Sequence, residues 1–338
     1  MKQTAFGCVI AALALFLVLS IGLNVIQLSA LMGGQITSGP QPKDPLTEKL
    51  EVPGKAESKD KIVHLDLEGI ISSMSTGGLF ENALPSVDGI KRSLEQAEED
   101  ADVKAIVLRI NSPGGEVTAS DIIYAAVKKA AAKKPVVVYM DSMAASGGYY
   151  VACGATKVVA SETTLTASIG VIMQSTNYHD LFGKVGLASQ TFTSGPYKDT
   201  LSGSRPMRDD ERVYIQGLVD TMYDRFLGIV SEARKVPRDV LRTTVADGRV
   251  VTGRQALEAR LVDQIGYIED AYALARELGS APEAAVVKYE SIPSLFKFLG
   301  MASAQAQAPH KVELDLTAGA LPKLQPGLLY YLPGAYLR

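Results

Sequence analysis

Apolar and polar positions along the middle of the chain form two kinds of pattern, which predict strands and helices respectively. Apolar and polar residues alternate over 62–68, which is typical of a strand with one buried face. The runs 105–110 and 136–140 are mostly apolar, as in strands buried on both faces of a parallel sheet. Helical spacing predicts helices over 86–99, 118–133, 208–242 and 253–278, and a second alternating segment predicts a strand over 188–193.

The order of these elements predicts the fold class. A strand, a turn, a helix and another strand at this spacing indicate an α/β domain built on a parallel sheet. Functional groups in such sheets lie on the loops that follow the carboxyl ends of the strands. Two glycine-rich loops occupy such positions, at 111–115 and 142–148.

The N-terminal segment is apolar and, after Lys2, uncharged as far as Lys43. This run exceeds the roughly 20 residues needed to span a bilayer and predicts a membrane anchor over 1–32. Lys2 would stay on the cytoplasmic side, which places the rest of the chain outside the cytoplasm. The alternative is a cleaved signal peptide. A Gly/Pro-rich, charged linker is expected over 33–60, a folded domain over 61–285, and a partly irregular extension over 286–338.

The net charge and the small number of histidines argue against two classes of function. The formal net charge is -3, and no basic run is interleaved with aromatic residues, so nucleic acid is not an expected partner. The three histidines are His64, His179 and His310. None of them stands in a context that supports a Ser–His–Asp triad.

Ser146 and Lys198 are the candidate catalytic residues. Ser146 follows a buried strand among small residues, and a helix that begins there would direct free N–H groups toward developing negative charge. The alternative is an ordinary helix cap. The loop 111–115 supplies glycines whose N–H groups suit an oxyanion hole, or it is simply a turn. Lys198, in a Gly/Pro-containing loop, would act as a base only if burial keeps it uncharged, and its spacing alone does not distinguish it from a surface lysine.

Several motifs over 61–285 together resemble the bacterial signal peptide peptidase A (protease IV) family. That family belongs to the larger Clp-protease/crotonase fold, with repeated ββα units. The resemblance implies a serine endopeptidase with a Ser–Lys dyad that needs no metal or other cofactor. The matching motifs are Asn-Ser-Pro-Gly-Gly at 111–115, Ser-Met-Ala-Ala-Ser-Gly-Gly-Tyr-Tyr at 142–150, Thr-Ala-Ser-Ile-Gly-Val at 166–171, Tyr-Lys-Asp at 197–199, and the segments 248–253 and 261–263.

The resemblance assigns a role to each matching residue. Ala167 departs mildly from the family pattern, where glycine is more common. The chain is about half as long as the family's long form, which carries two copies of the fold, so a homo-oligomer is expected. The implied roles are Ser146 as nucleophile, Lys198 as general base, Ser168 as the residue that orients the lysine, Gly114 and Gly147 as the oxyanion hole, and Gly115 as its support.

The expected activity is therefore degradation of signal peptides and similar apolar peptides at the membrane. Three alternatives remain open at this level. A related membrane protease of the same fold would act on membrane proteins, an acyl-CoA enzyme of the crotonase type would share only the fold, and a scaffold would only bind partners.

Overall fold

The computed structural model describes residues 46–55, 58–73, 87–290 and 329–331, together with four helical positions at 17, 20, 22 and 24. The chain divides into two compact units, Met1–Pro45 and Leu46–Arg338. Apart from those four positions, the predicted anchor over 1–32 lies outside the described residues. Within the part of the chain that is described, no helix combines the length and the apolar character that crossing a bilayer requires.

A mostly parallel sheet forms the centre of the second unit. In the described residues it has nine strands in the order β1-β10-β2-β3-β5-β6-β9, and β7 leaves this path to pair with β5 and with β8. Among the described strands of this sheet, the pairs β1–β10 and β7–β8 are antiparallel and the other pairs are parallel. The strands are β1 Thr47–Val52, β2 Lys61–Glu68, β3 Val103–Ser112, β5 Val136–Ala145, β6 Lys157–Ala160, β7 Leu165–Ala167, β8 Val250–Thr252, β9 Gln264–Ile265 and β10 Ala285–Glu290, with β4 Gly115–Glu116 and β11 Tyr330–Tyr331 forming a separate pair.

Helices cover both faces of the sheet because successive side chains of a strand point to opposite faces and both faces are apolar. Val63 and Leu65 of β2 join the larger core, whereas Ile62 faces a smaller core with Ala271 and Ala275. The described helices are α1 Val87–Glu99, α2 Val117–Ala131, α3 Gly147–Ala152, α4 His179–Lys184, α5 Asp209–Arg234, α6 Arg238–Thr244, α7 Gly253–Glu258 and α8 Ile268–Leu278. Helices α1 to α3 contribute to the larger core and α8 to the smaller one.

The predicted α/β class and parallel sheet are confirmed. The helices predicted over 208–242 and 253–278 are each interrupted, the first at 235–237 and the second at 259–267, where β9 lies. The structure also differs from the pattern at three strands. The strand predicted over 188–193 is wrong, because this segment is irregular and fully exposed and pairs with no described strand. Strand β1 lies inside the predicted linker, where it pairs with β10 at the sheet edge. Strand β5 runs to Ala145, five residues past the predicted end, because its last residues leave β6 and pair with β7.

Leu108 provides a test of this core. It is fully buried in β3, between β2 and β5. We expect Leu108→Ala to lower the free energy of unfolding by about 2–5 kcal/mol, through lost burial and the cavity left behind. Urea unfolding measures this, with Leu50→Ala on β1, where the side chain is 59% exposed, as the control. Equal effects of the two substitutions would contradict the assigned core.

Candidate active site

Ser146 occupies the junction between β5, which ends at Ala145, and α3, which begins at Gly147. Its φ of +52° lies in the left-handed region, which a residue with a Cβ adopts only at a cost. Two backbone hydrogen bonds hold it there. The N–H of Ser146 donates to the carbonyl of Ala167 at 2.7 Å, and its carbonyl accepts from the N–H of Tyr150 at 2.8 Å. The junction is therefore a sharp turn fixed from both sides.

The hydroxyl of Ser146 is buried and has no hydrogen-bond partner. Among the described residues only three buried side-chain polar atoms lack one, and the other two are Ser120 Oγ and Tyr289 Oη. A buried polar group left unpaired costs about 1–3 kcal/mol. Such a group in a tight turn is consistent with a nucleophile whose partner arrives from elsewhere, and an ordinary helix cap does not explain it, because Ser146 makes no side-chain cap bond.

The two glycine-rich loops meet at this junction. Gly114 has a φ of +104°, and a Cβ there would collide with the carbonyl oxygen of Tyr331 and lie 2.6 Å from the nitrogen of Gly147. A Cβ on Gly147 would lie 2.5 Å from Ser120 Oγ and 3.1 Å from the nitrogen of Gly115. Both positions require glycine for steric reasons. The N–H of Gly114 donates to Ser112 Oγ at 3.0 Å, so that donor is engaged in this state.

Ser168 lies on the other side of Ser146. The carbonyl of Ala167 links the two serines, because it accepts the hydrogen bond from the N–H of Ser146. Ser168 is buried, and its hydroxyl donates to the carbonyl of Gly248 over 3.3 Å. An open pocket of about 340 Å³ adjoins Ser168, between its own segment and helix α5, and includes the side chains of Val171 and Tyr223.

Lys198 is not part of this junction in a single chain. Its side chain is exposed, and it makes no side-chain hydrogen bond or ion pair with any described residue. The loop that carries it is fastened to the first turns of α5. Arg208 donates to the carbonyl of Pro196 at 2.7 Å, and the rings of Tyr197 and Tyr214 lie 5.2 Å apart.

Helix α5 separates Lys198 from Ser146. Its later turns pack on the nucleophile helix, where the rings of Phe226 and Tyr150 lie 5.0 Å apart. Phe226 comes 17 residues after Asp209, the first residue of α5. At 1.5 Å per residue, Asp209 and Phe226 lie about 25 Å apart along the helix axis, and the loop with Lys198 is attached at the Asp209 end. We name the projecting region 173–206, together with the first turns of α5, the arm.

A short strand near the C-terminus lies across the junction. Strand β11 pairs antiparallel with β4, so that Tyr331 stands opposite Gly115. On its other side, Tyr330 exchanges two backbone hydrogen bonds of 3.1 Å with Ile172. The strand is therefore held between the segment after Gly114 and the segment after Ser168. An extended peptide can bind in this position through main-chain hydrogen bonds on both edges.

The side chain of Tyr331 fills a buried aromatic pocket beside the junction. Its ring stacks on Tyr150, with centroids 4.9 Å apart, and lies 4.8 Å from Phe226. Its hydroxyl donates to the carbonyl of Met222 at 3.3 Å. Tyr331 is completely buried, and its carbonyl oxygen lies beside Gly114. The strand thus occupies the space next to the predicted oxyanion hole.

The structure shows where each predicted site residue lies and adds one component that the sequence did not predict. The structure brings the predicted residues Ser146, Ser168, Gly114, Gly115 and Gly147 together and leaves Lys198 apart. The strand at 329–331 was not predicted, because two tyrosines in an apolar, turn-rich tail do not indicate where that tail packs.

Comparison with known proteins shows the family. The chain is 35% identical over 284 residues to a putative signal peptide peptidase SppA of Enterococcus faecium, covering 82% of each chain. The family model for peptidase family S49 matches residues 128–281. The chain belongs to peptidase family S49. As a member of family S49 it is a serine peptidase, and Ser146, Ser168 and Lys198 all lie within the matched residues.

Two further proteins are similar to this S49 chain. It is 35% identical over 236 residues to protease 4 of Salmonella typhi, covering 68% of this chain and 38% of that one. Among solved structures it is similar to a point mutant of ClpP1 from Listeria monocytogenes, with a TM-score of 0.40 and 16% identity, over 62% of this chain and 93% of that one.

Tyr331→Ala tests whether the C-terminal strand competes with peptides in this S49 peptidase. Losing a buried aromatic ring costs about 3–5 kcal/mol, so the strand should leave the groove and kcat/KM for an extended peptide should rise about tenfold or more. Steady-state kinetics measure the change, with Tyr267→Ala, where the ring is 63% exposed, as the control. An unchanged or lower kcat/KM in a folded variant would show that peptides bind elsewhere.

Proposed function

We propose that this S49 peptidase is a membrane-anchored endopeptidase with a Ser146–Lys198 dyad, and that the two residues of each dyad come from different copies of the chain. One observation carries the proposal. Ser146 Oγ is buried without a partner, whereas Lys198 is exposed without a partner among the described residues, on an arm that is fastened to the first turns of α5. A second copy of the chain would supply a lysine to each Ser146 and a serine to each Lys198.

The arm has the surface expected of a segment that docks on another protein. Phe192 is 94% exposed, and Leu181, Val185 and Leu187 are each more than half exposed. An apolar cluster of this kind on a water-soluble surface marks a contact region. We propose that the arm of one copy docks beside Ser168 of the next. The open pocket there offers Val219 and Tyr223 to the apolar side chains of the arm.

Docking would also give Lys198 the environment that its role needs. A lysine amine acts as a base only when neutral, and burial disfavours the charged form. Beside Ser146, the neutral amine would take the hydroxyl proton as the oxygen attacks a peptide carbonyl. The ammonium would then give this proton to the leaving amine, and water would hydrolyse the acyl-enzyme.

The remaining residues would act around this transfer. Ser168 would accept or donate a hydrogen bond that orients the amine. The N–H groups of Gly147 and Gly114 would stabilise the oxyanion, and the Gly114 N–H would first have to leave Ser112 Oγ. Gly115 would support this loop, since a Cβ there would collide with the backbone of Ile71.

The substrates we propose are signal peptides and similar apolar peptides. A relative from Enterococcus faecium bears the name putative signal peptide peptidase. The groove occupied by β11 accepts an extended segment, and its aromatic pocket suits large apolar side chains. The Clp-protease/crotonase fold, an N-terminal anchor over 1–32 and an extracytoplasmic active site belong to the same proposal.

Mixing two inactive variants tests the shared dyad. Ser146→Ala and Lys198→Ala should each abolish peptide hydrolysis. When the two are unfolded and refolded together, a mixed oligomer should regain up to about a quarter of the wild-type activity, since each site needs one intact residue from each of two neighbours. Hydrolysis of a fluorogenic peptide measures this.

The matched control mixes Ser146→Ala with a variant that carries both substitutions, which cannot rebuild any site. A serine-reactive fluorophosphonate should label the wild type and neither single variant, because Lys198→Ala lacks the base that activates Ser146, and labelling should return in the mixed oligomer. Activity in Lys198→Ala alone, or no recovery in a mixed oligomer of confirmed composition, would contradict the shared dyad.

Vesicle flotation tests the anchor. We expect the full chain to float with phospholipid vesicles, because the uncharged segment over 5–32 is long enough to insert. A chain that begins at residue 46 should stay in the dense fraction while keeping its thermal unfolding transition, since 46–338 is a separate compact unit. Equal flotation of the two chains would contradict an N-terminal anchor.

A further inference from the structure

His64 is a buried histidine that the proposed chemistry does not use. It lies in β2, is 3% exposed, and faces helix α8. Its Nδ1 is 3.0 Å from Glu51 Oε2 on β1 and 2.8 Å from Tyr272 Oη on α8. Its Nε2 is 3.1 Å from Asp66 Oδ1 on the same strand. One ring therefore contacts three elements of the fold.

The hydrogen-bond count fixes the protonation state that fits this geometry. An ionised carboxylate accepts hydrogen bonds and donates none, and a neutral imidazole carries a single N–H. Both ring nitrogens of His64 face carboxylate oxygens, so both need a hydrogen. Only the doubly protonated, positively charged imidazolium satisfies Glu51 and Asp66 together.

The surrounding charges favour this cation. Asp66 also pairs with Lys288 on β10 and, at 3.2 Å, with Arg109 on β3. Arg109 continues to Glu68 and Asp141. The cluster thus holds four carboxylates, Glu51, Asp66, Glu68 and Asp141, against two permanent cations, and Glu269 lies near Tyr272. The charge on His64 reduces this excess of negative charge.

The state of Asp66 is consistent with a charged neighbour. Burial acts to raise the pKa of Asp66, yet hydrogen bonds from His64 and Lys288 hold it well below its usual value. Asp66 thus remains an acceptor at neutral pH. Burial also raises the pKa of Tyr272, so its hydroxyl keeps its proton and can donate it.

We propose that His64 is a buried imidazolium that fastens the edge strand β1 to the sheet, and that loss of its proton releases Glu51. Strand β1 pairs only with β10 among the described strands, and Glu51 reaches past β10 to His64. When Nδ1 loses its hydrogen, it accepts a hydrogen bond from Tyr272 instead. Asp66 keeps its hydrogen bond with His64 Nε2 and its ion pairs with Lys288 and Arg109. Glu51 then faces the lone pair of Nδ1 and loses its hydrogen bond.

This contact makes the attachment of the domain's first strand sensitive to pH. Strand β1 begins two residues after the end of the first unit, Met1–Pro45. With His64 charged, the strand is held by a hydrogen bond between charged groups, which is stronger than one between neutral groups. With His64 neutral, β1 loses this contact and is held by its pairing with β10, by the ion pair of Glu48 with Lys61 and by the hydrogen bonds of Leu46 with Gln96.

The state of His64 can be read directly in the full chain. With only three histidines, ¹⁵N-histidine labelling gives few signals, and exposed His179 provides an internal reference. Histidine is the side chain that ordinarily changes charge near neutral pH, so spectra start at about pH 5.5 and continue upward until the His64 ring is seen to lose its proton. We expect both nitrogens of His64 to be protonated at the lower pH. A neutral ring there would overturn the proposal.

Hydrogen exchange of 47–52 tests the consequence. After correction for intrinsic rates, we expect the amides of β1 to exchange about tenfold or more slowly in the wild type than in Glu51→Gln at about pH 5.5. This difference should vanish at the higher pH at which the spectra show a neutral His64. His64→Gln, which offers donors from one atom only, should resemble the wild type at the higher pH. His179→Gln is the matched control. A difference that is the same at both pH values would overturn the proposal, even if His64→Gln fails to fold.

Discussion

The left-handed backbone of Ser146 is the constraint on which the site depends. A residue with a Cβ adopts this conformation only when its surroundings hold it there. Here the carbonyl of Ala167 and the N–H of Tyr150 do so. The turn leaves no room for a Cβ at Gly114 or Gly147, and it places Ser146 Oγ where no neighbour in the described chain reaches it. The strain and the unpaired hydroxyl are two consequences of one turn.

The rest of the site divides between a rigid part and a projecting part. The junction is built from strand ends in a packed core, and this fixes the serine and the glycines. The arm stands on the exposed turns of α5, where little packs against it among the described residues. In the shared dyad that we propose, separating the two residues within one chain would keep a lone subunit inactive, and assembly would complete the active site.

Burial explains where prediction from the sequence succeeded and where it failed. The strands β2 and β3 and the helix α1 were predicted because each presents a continuous apolar face to the core. The spacing of apolar residues along the sequence reveals such a face. The segment 188–193 alternates in the same way without being a strand, because alternation carries no information when both faces are in solvent. Strand β1 was assigned to a linker, since its side chains are mostly exposed and its position is set by backbone pairing with β10, which the sequence pattern does not reveal.

The sequence by itself determined the α/β class, the parallel sheet, the glycine loops and the serine at a strand end. These depend on local pattern and on residue type, which the chain states directly. Only the tertiary structure decided that Ser146 is unpaired, that Lys198 stands apart from it, and that Tyr331 returns to the groove. Such facts are distances between residues far apart in the chain, and these are set by how whole elements pack.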